Sequence, residues 1–163
     1  MRIEPWGEGD LPLLEALLGD PAMMEHLGGP ESPEKIRERQ ARYEPADSGM
    51  FKIIEVAGGE GVGSVGYWPR GWRGDEINEI GWSVLPAFQG RGIARAATAL
   101  TIERARARAE AGRRFLHAFP SVENLPSNAL CRTLGFTLLG PCELEYPPGS
   151  VLAVNDWRLD LSR

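Results

Sequence analysis

The stretch Val84-Leu-Pro-Ala-Phe-Gln-Gly-Arg-Gly-Ile-Ala-Arg95 passes from an apolar segment through a proline and two glycines into an alanine-rich segment. Upstream of it, Ile77, Ile80, Trp82 and Val84 predict a strand over residues 76–85, stopped by Pro86 because proline donates nothing to a sheet ladder. Downstream, Ile93, Ala96, Ala97 and Leu100 fall on one face of a helix predicted from Gly90 to about Ala111. A strand that turns through glycines into a helix brings unpaired main-chain N–H groups and the positive end of the helix dipole to the turn. Gly90 and Gly92 carry no Cβ, so an anion can approach the main chain. Ala94 leaves the next turn clear, and Arg91 and Arg95 add positive charge. On these grounds alone the stretch is either a phosphate cradle or simply a tight strand-to-helix connection.

Around this centre, strands and helices interleave. Residues 2–5 read as a short strand. Asp10 is a candidate N-cap for a helix carrying Leu11, Leu14, Leu17 and Leu18, and a short helical turn follows through Met23, Met24 and Leu27. Ser32-Pro33 supplies a cap and first-turn proline for a charged helix reaching about Tyr43. A hairpin is predicted from Phe51, Ile53, Ile54 and Val56, through a glycine turn, to Val62, Val65, Tyr67 and Trp68. After the long helix come a strand at 115–119, a helix at about 126–134 closed by Gly135, and two last strands. In the final one, Trp157, Leu159 and Leu161 alternate with Asp156, Arg158 and Asp160. Hairpins among βα units predict a mixed α+β sheet, mostly antiparallel. Gly61-Val-Gly63-Ser-Val-Gly66 matches GxGxxG in form, but it leads into a strand and not a helix, so it reads as turn and strand.

With 163 residues, one domain over 1–163 is expected. Cys131 and Cys142 are the only cysteines, and with two histidines they give no zinc or other metal cluster and no disulfide framework. No apolar run reaches membrane-spanning length and the first residues lack signal-peptide character, so a soluble, cytoplasmic protein without a membrane partner is expected. Eighteen basic residues against twenty-three acidic ones give a net charge of −5, the wrong sign for a nucleic-acid partner. Seven arginines nevertheless fall between Arg91 and Arg114. A local basic patch on an acidic chain suits a small polyanion.

Gln89-Gly-Arg-Gly92-Ile-Ala94 resembles the Q/R-x-x-G-x-G/A acetyl-CoA signature of the GNAT superfamily of N-acetyltransferases. Asn124-Leu-Pro-Ser127-Asn128-Ala-Leu-Cys131-Arg-Thr-Leu-Gly135-Phe136 resembles that family's later N-x-x-S…LGF segment. The opening, with Asp10-Leu11, Asp20-Pro21 and Leu27-Gly28-Gly29, is similar to the branch that includes ribosomal-protein N-terminal acetyltransferases. The resemblance implies a GNAT-like α/β domain with a sheet of about six to seven strands, helices on both faces, and a splay between the 76–85 and 115–119 strands that takes the cofactor. It implies acetyl-CoA as cosubstrate, held at its pyrophosphate by the N–H groups of Gln89, Gly90, Arg91, Gly92, Ile93 and Ala94, with Arg95 nearby. The pantetheine arm would pair with Ser83, Val84 and Leu85 and be met by Asn124, while Ser127 or Asn128 would cap the next helix or touch the cofactor.

The implied reaction is attack of a primary amine, from a protein N-terminus or a small molecule, on a thioester in a ternary complex. A main-chain N–H near Val84 or Leu85 is the candidate oxyanion donor. Glu79 is the favoured base, with a salt-bridged strand residue as the alternative; His117 is the second candidate, and His26 a weaker one. Where many members carry an acidic tyrosine, this chain has Cys131, which is either a general acid or a small buried hydrophobe. Two rivals follow from that position: a non-catalytic acyl-CoA-binding module, and transfer through a Cys131 thioester, with His117 as its partner. Trp68 and Trp72 beside Arg70 and Arg73, and Tyr146 in the last turn, are candidate acceptor contacts. Monomer and homodimer are equally open.

Overall fold

The computed structural model describes residues 1–109, 112–146 and 148–163. Its strands are β1 (Arg2–Pro5), β2 (Met50–Ile54), β3 (Gly61–Trp72), β4 (Asp75–Val84), β5 (Phe115–Ala118), β6 (Thr137–Glu145) and β7 (Val151–Asp160). Its α-helices are α1 (Leu11–Leu18), α2 (Pro33–Tyr43), α3 (Ile93–Ala107) and α4 (Leu125–Thr133). The strands form one open sheet in the order β1-β2-β3-β4-β5-β7-β6. β1–β2, β2–β3, β5–β7 and β6–β7 pair antiparallel. β4 and β5 pair parallel, and only through Asn78 with Leu116 and Glu79 with His117. The mixed, mostly antiparallel sheet expected from the sequence is the one observed.

Two compact units share the chain. The first comprises Met1–Glu25, Gly29–Gly66 and Trp82–Thr101. Within it, β2 and the first half of β3 are buried on both faces, with Ile53, Val62 and Val65 fully enclosed, and the amphipathic face of α1 buries Leu14 and Leu17. Ser32 caps α2 by accepting from the Lys35 N–H at 3.3 Å, with Pro33 in the first turn, as the pattern predicts. Asp10 does not cap α1 in the expected way: its carboxylate accepts the Gly7 N–H at 2.7 Å and pairs with Lys52 at 3.1 Å. The helical turn expected at Met23–Leu27 is a run of hydrogen-bonded turns, held by the Asp20 carboxylate on the N–H groups of Ala22 and Met23. The GxGxxG-like segment lies inside β3, where a Cβ on Gly63 would collide with the Ser83 carbonyl oxygen. Its glycine serves strand packing.

The second unit comprises His26–Gly28, Tyr67–Gly81 and Ile102–Arg163. Here β3 turns into β4 through Arg73 and Gly74, both at positive φ (51° and 86°), the conformation that two-residue hairpins favour. A core of Ile77, Phe119, Leu144 and Val154 is flanked by Trp72, Cys142 and Leu152. On β7, Trp157 and Leu159 are buried as the alternation predicts, but Asp156, in the polar phase, is buried as well. α3 begins at Ile93, three residues later than expected. Gly90 and Gly92 stand at φ +75° and +76°, which no right-handed helix accepts. α3 ends at Ala107, short of the expected end near Ala111; Ala111 itself lies outside the described residues, as does Pro147 of the last turn.

Candidate active site

Residues 84–95 fold as a cradle. The first helical bond of α3 runs from the Ala96 N–H to the Gly92 carbonyl at 3.1 Å, so the N–H groups of Ile93, Ala94 and Arg95 precede the ladder. Space is open for at least 4 Å where a Cβ would stand on Gly90 or Gly92. Gln89 does not serve this space: Nε2 donates to the Val84 carbonyl at 2.9 Å and ties the loop to the end of β4, and its main-chain N–H is taken by the Pro86 carbonyl at 3.3 Å, which corrects the expected set of phosphate donors to Gly90 onward. The Arg91 guanidinium lies 5.4 Å over the Phe88 ring and bonds Glu55 at 3.3 Å, while Arg95 is exposed. Arg91, Gly92, Ile93 and Ala96 line a cleft of about 390 Å³ with Glu55 and Val56.

At the end of β4, the Leu85 N–H is taken by the Val62 carbonyl at 2.8 Å. Leu85 is therefore no oxyanion donor, which corrects half of the expected pair. By the alternation of an antiparallel ladder, the Val84 N–H points away from β3, so Val84 keeps the candidacy. Ser83 offers its carbonyl close to Gly63 within the same unit.

At the start of α4, Asn124 is the N-cap: its Oδ1 accepts the Ser127 N–H at 3.2 Å. Asn128 is buried and fully engaged. Its Nδ2 donates to the carbonyls of Ser121 (2.9 Å) and Asn124 (2.8 Å), and its Oδ1 accepts from Asn155 Nδ2 and Trp157 Nε1, both at 2.8 Å. All four hydrogen bonds of the amide are spent inside the protein. The expectation that Asn128 touches the cofactor is thereby corrected; it clamps α4 to β7.

Because Asn155 and Trp157 face α4, their neighbours Val154 and Asp156 face the other side of the sheet. That other side carries a polar cluster. His117 Nδ1 lies 2.6 Å from Asp156 Oδ1, and Trp72 Nε1 donates to Asp156 Oδ2 at 3.0 Å. The His117 ring stacks on Phe119 at 5.8 Å. Glu79, the register partner of His117, accepts from Arg70 Nη1 at 2.7 Å and from Trp68 Nε1 at 3.3 Å. The Arg70 guanidinium also lies 5.5 Å over Phe119 and 5.7 Å over Trp72. Burial works against ionisation of Asp156, but the hydrogen bonds from His117 and Trp72 and the nearby Arg73 charge outweigh it and hold the carboxyl below its ordinary value.

Cys131 stands apart from this cluster. Three residues from Asn128 on α4, it shares the helix face that meets the Trp157 side of the sheet. It is completely buried, and desolvation pushes its thiol up to about 12. A fully enclosed thiol that stays protonated at neutral pH, on the face of the sheet away from His117, suits neither an attacking nucleophile nor pairing with that residue. The structure places it as a core residue, correcting the acid and thioester readings. Cys131→Ala is expected to keep the wild-type rate while losing roughly 1 kcal/mol of stability; a steady-state assay beside a thermal melt checks both.

Asp156 and Glu55 are site residues that nothing in the sequence marks. Asp156 sat in the polar phase of β7 with nothing local to mark it as buried, and Glu55 lies 36 positions from the arginine it meets.

The model of the acetyltransferase (GNAT) domain matches residues 1–137, and the chain belongs to that family. It is an acetyl-CoA-dependent N-acetyltransferase. No curated protein matches the sequence. Among solved structures, the chain is similar to a ribosomal-protein-alanine N-acetyltransferase from Brucella melitensis, at 26% identity over 98% of this chain and 99% of that one, with a TM-score of 0.78. It also shares its fold with a putative acetyltransferase from Salmonella typhimurium solved with acetyl-CoA (21% identity, 100% and 95% covered, TM-score 0.78). A third likeness of fold is to spermidine N-acetyltransferase from Vibrio cholerae, solved with CoA and spermine (18% identity, 99% and 95% covered, TM-score 0.79). The cradle fits the pyrophosphate of the cosubstrate, having unpaired N–H groups at a helix start and open space where side chains would otherwise stand. Among the described residues no cluster of His, Cys, Asp or Glu could hold a metal, and no helix is long and apolar enough to cross a membrane.

Proposed function

We propose that residues 1–163 act as one domain that transfers acetyl directly, in a ternary complex, to the α-amine of a polypeptide N-terminus. The observation that carries the transfer reading is the open cradle at Gly90 and Gly92, both in the left-handed conformation with nothing within 4 Å of either missing Cβ. In this reading the N–H groups of Gly90 to Ala94 and the Arg91 and Arg95 charges hold phosphate, and the main chain of Ser83 and Val84 lines the pantetheine arm. Bound acetyl-CoA supplies the activated acetyl group; the chain's own task is to neutralise the amine and hold the two reactants together.

The acceptor assignment is supported by the ribosomal-protein-alanine N-acetyltransferase, whose identity with this chain exceeds that of the spermidine enzyme. Glu79 is paired with Arg70. That pairing leaves Glu79 a poor choice for the base, since Arg70 and Trp68 both engage its carboxylate and hold it in place. His117 takes the role.

The test is thiol release from acetyl-CoA with peptides beginning in Ala or Ser, compared with spermidine. Peptide turnover at least tenfold faster is expected; a preference for spermidine would overturn the acceptor assignment. Should acetyl-CoA raise the melting temperature while no amine releases thiol, the chain binds without transferring. Ligand at 100 times its Kd is worth about 2.7 kcal/mol, and each kcal/mol moves a chain of this size by roughly 2–4 °C.

A further inference from the structure

We infer that Asp156, itself fixed by Trp72, is the positioning residue that holds His117 with a proton on Nδ1 and a free lone pair on Nε2, making it the group that takes the acceptor's proton. The inference rests on the proposed amine transfer. It comes from three side chains on three strands, none adjacent in sequence: Trp72 at the end of β3, His117 on β5 and Asp156 on β7.

The geometry is that of an oriented base. Asp156 is 1% exposed, and its two oxygens are divided between two donors: Oδ1 meets His117 Nδ1 at 2.6 Å and Oδ2 takes Trp72 Nε1 at 3.0 Å. The indole N–H has no acceptor role, so it fixes which way the carboxylate turns. A carboxylate can only accept, so the proton between it and the imidazole belongs to Nδ1, and the remaining ring nitrogen presents a lone pair. His117 Nε2 makes no hydrogen bond among the described residues, and stacking on Phe119 fixes the ring plane. The other charged groups around His117 are its register partners Glu79 and Arg158, with Arg70 and Arg73 from the β3 side. Glu79 is answered by Arg70, and the Arg158 guanidinium lies over Phe115 at 4.4 Å, which leaves Asp156 as the carboxylate bonded to the imidazole.

The proton balance is simple. An ammonium acceptor gives up two protons on becoming an amide. His117 Nε2 takes the first, freeing the lone pair that forms the C–N bond as the C–S bond breaks. One of the two protons ends on the departing CoA sulfur and the other in solvent. Asp156 stays ionised throughout and stabilises the imidazolium.

Two measurements test this on the whole chain. With only two histidines present, His26→Gln leaves a single ¹⁵N-histidine signal pair, and a protonated Nδ1 with an unprotonated Nε2 is expected; an Nε2–H tautomer overturns the inference. In kinetics with the N-terminal peptide, Asp156→Asn is expected to lower kcat by about 100-fold or more with KM for acetyl-CoA nearly unchanged. The deficit should narrow as pH rises toward that of a neutral acceptor amine, which needs no base. Trp72→Phe should move kcat the same way by a smaller factor, and it stands in should Asp156→Asn fail to fold. A stability loss with kcat retained in both variants, or a kcat deficit independent of pH, reduces the triad to a structural pair and sinks the inference. Absence of transfer to any amine by the wild-type chain overturns the underlying reading and this inference with it, whereas the tautomer and variant outcomes bear on the inference alone.

Discussion

Gly92→Val is expected to weaken acetyl-CoA binding by two orders of magnitude or more, equivalent to about 2.7 kcal/mol. Two effects act together. At φ +76° a β-branched residue is strained, at a cost on the order of 1–3 kcal/mol, so the loop either carries that strain or abandons the conformation that exposes its N–H groups. If it holds, the new side chain occupies the open space above Gly92, where phosphate would otherwise approach the main chain. Titration of acetyl-CoA by calorimetry measures the loss directly. Arg91→Ala makes the useful comparison: its guanidinium is half-exposed and already bonded to Glu55, so only a few-fold effect is expected, and one that fades with salt. Unchanged affinity in Gly92→Val would mean that the turn does no more than connect β4 to α3, and the cradle reading would fall with it.

What local chemistry dictates was legible in the sequence. The Ser32-Pro33 start of α2, the proline stop after β4 and the glycine turn before α3 each follow from one or two residues acting on their own backbone, and all three are present in the structure. The polar phase of β7 is where local chemistry stops deciding. Period-2 alternation separates the two faces of a strand but does not say whether the second face meets water. Asp156 is buried because Trp72 and His117, 84 and 39 positions away, converge on it. For Cys131 the residue type left two roles open, and only burial against the Trp157 side of the sheet decides between them. Glu79 is similar: its strand position was readable, while its pairing with Arg70 depends on the two-residue turn at Arg73 and Gly74, where an arginine takes a positive φ that sequence alone does not announce.

Asn128→Asp should be the most damaging single-atom change in the second unit. The substitution replaces Nδ2, which donates to the carbonyls of Ser121 and Asn124 at 2.9 and 2.8 Å, with an oxygen that can only accept. Two hydrogen bonds become two repulsive oxygen contacts, in a site that is 8% exposed. Trp157 Nε1 and Asn155 Nδ2 still have an acceptor, so the loss is confined to the donor side and the shape of the site is conserved. Each buried polar group left without its partner costs about 1–3 kcal/mol, and two such carbonyls give on the order of 3–5 kcal/mol, less whatever a proton on the new carboxyl recovers. Protonation restores one donor, which gives the prediction its sign in pH. The buried carboxyl would hold its proton to higher pH in the folded chain than in the unfolded one, so the variant should regain stability as pH falls and lose it as pH rises through neutrality. Wild type has no corresponding change at this position. Urea melts of both chains at pH 5 and pH 8 should therefore show a difference in midpoint that is larger at pH 8. Equal midpoints at both values would mean that α4 is not fastened to β7 and the 121–124 turn through Asn128, and that the residue is free to meet the cofactor after all.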